Sequence, residues 1–170
     1  MKRRTLRALG DLLDALGIRW VLIGALAANR YRSSPRLTQD VDLLLADAGS
    51  SLETLESSLR SAGWQVQRAS PEAELIRLRH AEKGMADLMF AATDYQHEAI
   101  RRAREESFDD GASARVLTAE DVIVHKLIAG RTQDIADIEA ILAAKHPLDE
   151  NYIEKWADYW DVLASWRSLR

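Results

Sequence analysis

The sequence has no cysteine among its 170 residues. Disulfides, thiolate zinc sites and cysteine nucleophiles are therefore excluded. It also has no apolar run near the roughly 20 residues needed to span a bilayer, so no membrane-crossing helix is expected. Met1-Lys2-Arg3-Arg4 is basic, but no signal-type apolar core and cleavage site follow it, and a soluble cytoplasmic protein is the expectation. Positive charge is scarce too. The net charge is -4, against the basic balance of a general nucleic-acid binder. Two local clusters, Lys2-Arg3-Arg4 and Arg101-Arg102-Arg104, read as solvated helix faces or as a track for an RNA acceptor. Repeats and low-complexity linkers are absent, and a hydrophobic fraction of 47% suffices for a core, so the chain reads as one compact unit.

What is present is a succession of short periodic segments. Leu6, Leu9, Leu12, Leu13 and Leu16 predict a helix over 2–16 that stops at Gly17. Arg19 to Ile23 predicts a strand, Gly24 a turn and Ala25 to Ala28 a helix. A polar loop, Arg32 to Gln39, leads into a strand from Asp40 to Leu45. Ser50 with Glu53 predicts a capping box for a helix over 51–62. A strand follows from Trp64 to Arg68. A hairpin pairs 74–80 with 85–91 through a glycine-containing turn. Thr93 with Gln96 caps a helix running to about Arg104, and Arg115 to Leu117 suggests a short strand. From Thr118 the pattern is helical: about 119–129 up to Gly130, then the stripe Ile135, Ile138, Ile141 and Leu142. A last helix opens at Pro147 and Asp149 and carries Trp156, Trp160 and Trp166, with Trp166 expected to be exposed. The fold class is α+β, a mixed sheet followed by a small helical bundle.

Asp40 and Asp42 carry the chemistry. Two apart on a strand, their side chains share one face. The run Leu43-Leu44-Leu45 then places this strand centrally in the sheet. Adjacent carboxylates at the edge of a core repel each other and lose hydration, at a cost of several kcal/mol. A hard divalent cation, Mg²⁺ (or Mn²⁺), removes the conflict when it is shared with substrate phosphates. The plainer reading has Asp40 capping the strand and Asp42 facing solvent. Asp87 is the candidate third carboxylate, inside the apolar strand Met85 to Phe90, as a two-metal site requires. Asp94 is better explained as a first-turn helix acid. Gly24 and Ala25, at a strand-to-helix junction, could hold phosphate on backbone N–H groups.

In this order the residues resemble the DNA polymerase β-type nucleotidyltransferase superfamily: a glycine turn (Ile23-Gly24-Ala25), a D-x-D strand (Asp40-Val41-Asp42) and a later acid (Asp87). The longer pattern, Gly24-Ala25-Leu26-Ala27 with Arg36-Leu37-Thr38-Gln39-Asp40-Val41-Asp42, resembles the bacterial minimal nucleotidyltransferases grouped with abortive-infection, type IV toxin–antitoxin toxins. Lys126-Leu127-Ile128-Ala129 and Arg131 with Asp134 and Asp137 extend it. The resemblance implies a nucleotidyltransferase fold, a mixed central β-sheet flanked by helices plus a C-terminal helical bundle. It implies a catalytic core over 1–117 and a helical subdomain over 118–170. It further implies transfer of a nucleoside monophosphate from an NTP to a hydroxyl-bearing acceptor: an RNA such as tRNA, a protein or a small molecule such as an aminoglycoside. An antitoxin is the implied protein partner.

Within that scheme Asp40, Asp42 and Asp87 bind metal, and Asp87 helps deprotonate the acceptor. Arg36 and Thr38 flank the metal strand, and Arg36 could reach phosphate. Lys126 either points at the β- and γ-phosphates or is a surface lysine, and Asp134 and Asp137 orient Lys126 or Arg131 by salt bridges. His80, His97, His125 and His146 read as structural or exposed. Ala25 stands where the family has Gly or Ser, which removes a hydroxyl. That departure favours the alternative of a non-catalytic nucleotide- or partner-binding module.

Overall fold

The protein is described by a computed structural model that covers residues 2–46, 52–68, 70, 74–108 and 113–170, without the side chains of residues 2 and 3. Its elements are α1 (Lys2–Ala15), β1 (Trp20–Leu22), α2 (Gly24–Ala28), β2 (Asp40–Leu45), α3 (Leu52–Ser61), β3 (Gln65–Arg68), β4 (Leu75–His80), β5 (Gly84–Phe90), α4 (Asp94–Arg102), β6 (Arg104–Ser107), β7 (Ser113–Val116), α5 (Ala119–Ala129), α6 (Thr132–Ala143), α7 (Glu150–Tyr159) and α8 (Leu163–Ser168). Seven strands form one mixed sheet in the order β3-β4-β5-β2-β1-β7-β6, and β2 is its middle strand. The apolar run after Asp42 explains that position: Leu43, Leu44 and Leu45 are all fully buried. This is the α+β fold expected, with the helical C-terminal part present.

Two parallel neighbours fix the site. Strand β2 pairs β5 in parallel, with Asp42 opposite Asp87 and Asp40 opposite Met85. Alternation then puts Val41, Leu43, Ala86 and Leu88 on one sheet face, all buried, and the three acids on the other. Helices α1 and α3 pack together, and α1 also packs on β2 and β5. Helices α2 and α5 pack against each other, and α5 in turn against α6 and α7.

Three expectations change. Helix α4 ends at Arg102, and Arg104 already belongs to β6, a strand the periodicity did not reveal. The Arg115 guanidinium on β7 donates to the carbonyls of Ile100 and Ala103 at 2.9 and 3.0 Å, satisfying helix-end acceptors from across the fold. The Arg101-Arg102-Arg104 cluster is thereby divided between two elements. The final helix is two helices: Asp161 adopts a left-handed φ of 55°, and Val162 N–H donates to the Ala157 carbonyl at 2.8 Å. That is a helix C-terminal motif normally marked by glycine, which the sequence does not supply here. The reversal folds α8 back, so Trp166 is buried at 1% exposure instead of lying at the surface. The capping box at Thr93 and Gln96 forms as expected. Ser50, the other predicted cap, lies outside the described residues.

Candidate active site

Asp40, Asp42 and Asp87 bring one carboxylate oxygen each to within 4.8 Å of one another. Burial pushes the Asp42 carboxyl up to about 6, and the negative charges of Asp40 and Asp87 push in the same direction, while Lys126 and Arg131 oppose them. Three converging hard oxygen donors with an ionisation conflict fit a divalent cation such as Mg²⁺ or Mn²⁺. The Thr38 hydroxyl donates to Asp40 Oδ1 at 3.0 Å, so Thr38 orients a member of the triad.

Gly24 sits at φ +65°, and a Cβ there would lie 1.9 Å from Asp42 Oδ2 and 2.8 Å from its Cβ. Glycine is required at this turn because the Asp42 side chain occupies the space where any side chain would be. The Ile23 N–H donates to the Asp42 carbonyl at 3.0 Å, which draws the turn against β2. Ala25 is buried beside it.

The cations proposed from sequence are tied together behind the triad. Lys126 is buried on α5, with Nζ 2.6 Å from Asp134 and 2.8 Å from Asp137. Arg36 grips Asp137 through Nε and Nη2 at 2.8 and 3.0 Å, Arg32 also pairs with Asp137, and Arg131 grips Asp134 at 2.6 Å. Burial raises the pKa of both aspartates, but hydrogen bonds from Arg131 to Asp134 and from Arg36 to Asp137, together with Lys126, outweigh it and hold both below the usual range. Asp134 and Asp137 therefore orient Lys126 and Arg131, and Lys126 is no surface lysine. Arg36 is a structural partner of Asp137 in this state. Its loop is clamped by Asn29, whose amide donates to the Arg36 carbonyl at 2.8 Å and accepts from its N–H at 3.0 Å.

Two cavities meet at the triad. A polar one of about 470 Å³ is bordered by Ala25, Arg36, Thr38, Asp40, Thr132 and Gln133. A more apolar one of about 440 Å³ is bordered by Leu75, Met89, Leu117, Val122, His125 and Ala129. Gly24, Asp42, Asp87, Lys126, Arg131 and Asp134 border both. Asp137 borders neither and stands behind Lys126.

Sequence reasoning missed Arg77, Asn29 and the first turn of α6 at Thr132 and Gln133. Arg77 faces Asp87 across the β4–β5 ladder, its Nε and Nη2 at 3.3 and 3.5 Å from the carboxylate. The signal was available. The hairpin turn pairs His80 with Gly84, and counting back three residues on each strand reaches Arg77 and Asp87. Arg77 stands on the β4 side of Asp87, its side chain 55% exposed, and the three acidic oxygens still converge on the β2 side.

A mixed sheet with three acids on its central parallel pair, a glycine turn pressed against the first of those strands and a buried lysine on α5 fit a nucleotidyltransferase. Comparison with family models makes the class particular: residues 7–162 match the nucleotidyl transferase AbiEii toxin family of type IV toxin–antitoxin systems, and the chain belongs to that family. Solved structures agree on the fold. ANT(2")-Ia in complex with adenylyl-2"-tobramycin superimposes with a TM-score of 0.64 at 16% identity, covering 95% of this chain and 98% of that one. The lincomycin-bound lincosamide antibiotic adenylyltransferase LnuA gives 0.61 at 15% identity, over 84% and 97%. An antigenic nucleotidyltransferase-like protein from Paracoccidioides brasiliensis gives 0.59 at 18% identity, over 96% and 92%. Comparison with curated proteins yields no match.

Proposed function

We propose that this protein transfers a nucleoside monophosphate from an NTP to a hydroxyl of a macromolecular acceptor, an RNA or a protein, as the toxin of a toxin–antitoxin pair. The observation that carries the proposal is the convergence of Asp40, Asp42 and Asp87 within 4.8 Å on adjacent parallel strands. These residues would hold divalent cations, Mg²⁺ or Mn²⁺, which supply charge neutralisation at the phosphate oxygens and at the attacking and leaving oxygens.

The chain's own residues perform the rest. The polar cavity receives the triphosphate, with Lys126 and Arg131 on its wall and the first turn of α6 presenting backbone N–H groups toward anionic oxygens. The salt bridges to Asp134 and Asp137 hold Lys126 in one place, so little ordering remains to be done when substrate arrives. Asp87 takes the proton of the acceptor hydroxyl. That oxygen bonds to the α-phosphorus as the bond from the α-phosphorus to the bridging oxygen of the leaving group breaks, and pyrophosphate departs. Ala25 supplies a backbone N–H but no hydroxyl, so the phosphate contacts rest on Lys126, Arg131 and α6.

The test uses α-labelled NTPs with pools of RNA, protein and aminoglycoside acceptors. Label is expected to enter a macromolecular pool with release of pyrophosphate, and Asp40→Asn, Asp42→Asn and Asp87→Asn should abolish it. NTP binding with no transfer to any pool would leave a binding module instead, and label in the aminoglycoside pool alone would refute the macromolecular acceptor.

A further inference from the structure

His125 precedes Lys126 on α5 and lines the apolar cavity with its side chain half-buried. Its Nε2 has no hydrogen-bond partner. A buried polar atom without a partner lowers stability, so native structures keep few of them. Among the described residues that hold such an atom, His125 is the one that lines the cavity beside the triad.

The two cavities differ in chemistry. Lys126 and Arg131 make the polar one suitable for the triphosphate. The other offers Leu75, Met89, Leu117 and Val122, which suit the faces of a flat ring. A single nucleoside triphosphate, with its α-phosphate at the acids shared by both, accounts for both cavities: phosphates on one side, nucleoside on the other. We propose that the apolar cavity receives the base of the donor nucleotide and that His125 reads the base edge, making it the specificity-determining residue for the NTP. This deepens the nucleotidyltransferase reading and rests on it. Apolar walls with few placed polar groups are how such pockets set orientation and choice of ligand. The reading also needs a neutral ring with one donor and one acceptor nitrogen. Burial, with help from the Lys126 charge, pushes the imidazole down to about 4, so it is neutral at pH 7. The ring is held by Tyr95 at a centroid distance of 5.4 Å, on a wall shared with a smaller cavity of about 230 Å³.

The experiment is titration calorimetry of the full chain in Mg²⁺ with ATP, GTP, CTP, UTP and inorganic tripolyphosphate. Wild type should discriminate among the four nucleotides by about tenfold or more, the range set by one base-edge contact. His125→Phe, which keeps a flat ring but removes both nitrogens, should compress that range to roughly threefold or less. Its affinity for tripolyphosphate should be unchanged. His125→Gln presents a different donor–acceptor pattern and should reorder the four nucleotides, and it carries the test if the phenylalanine variant does not fold. Equal affinities in wild type, an unchanged order and range in the variants, or a parallel loss of tripolyphosphate binding would each overturn the proposal. Failure of wild type to bind any nucleotide or tripolyphosphate refutes the transferase reading along with it.

Discussion

Asp42 is held ionised against its surroundings, and this has a measurable consequence. Its carboxyl is raised from an ordinary 3.8 to about 6 by burial and by Asp40 and Asp87. A folded-state value above the unfolded one means that the folded protein binds more protons between those two pH values. Stability therefore falls as pH rises from about 4 to about 6 and stays reduced above that. The shift of roughly 2 pH units corresponds to about 3 kcal/mol at neutral pH. Asp42→Asn keeps the size and removes the charge. At pH 7.5 without divalent ions, the variant should melt about 6–12 °C above wild type, given about 2–4 °C per kcal/mol for a chain of this size. At pH 4 the gap should close. Adding Mg²⁺ should raise the wild-type melting temperature and leave that of the variant unmoved. Differential scanning calorimetry across this pH series decides the matter. A variant less stable than wild type at pH 7.5, or a gap independent of pH, would refute the charge conflict.

Gly24→Ala should abolish transfer, because its Cβ would overlap the Asp42 carboxylate. In an Asp42→Gly background, which removes the Asp42 Cβ as well as the carboxylate, the added loss of stability should shrink to the left-handed backbone strain, about 1–2 kcal/mol, and an undiminished penalty in a double-mutant cycle would refute the clash. Lys126→Met leaves Asp134 and Asp137 short of a cation and should cost about 3 kcal/mol by denaturant unfolding. Adding Asp134→Asn to it should recover part of that loss. Arg77→Gln removes a cation that competes for Asp87 and should tighten Mn²⁺ binding severalfold by calorimetry. Weaker binding would mean that Arg77 positions Asp87 for the ion instead.

Much of the site was legible in sequence because its signals are local. A D-x-D on a strand fixes two side chains to one face, and an acid inside an apolar strand demands a partner. Capping residues such as Thr93 and Thr118 and the breaker Gly130 marked helix ends directly. What escaped depends on distant partners. Strand β6 begins where it does because Arg115 caps α4 from another strand. The break between α7 and α8 uses an aspartate in a conformation that sequence patterns assign to glycine. The two hydrogen bonds that tie Arg36 to Asp137, about a hundred residues away, leave no local trace in the sequence. A further reason for glycine at position 24, the room it leaves for the Asp42 side chain, depends on a contact between two elements that no local pattern shows.

The proposed transfer depends above all on divalent ions lying between Asp40, Asp42 and Asp87. Anomalous scattering from Mn²⁺-soaked crystals tests that without reference to any acceptor. It should place an ion in contact with all or most of the three carboxylates, and Asp42→Asn crystals should lose it. Manganese bound elsewhere with the triad empty, or the Arg77 guanidinium seated among the three acids in its place, would contradict it.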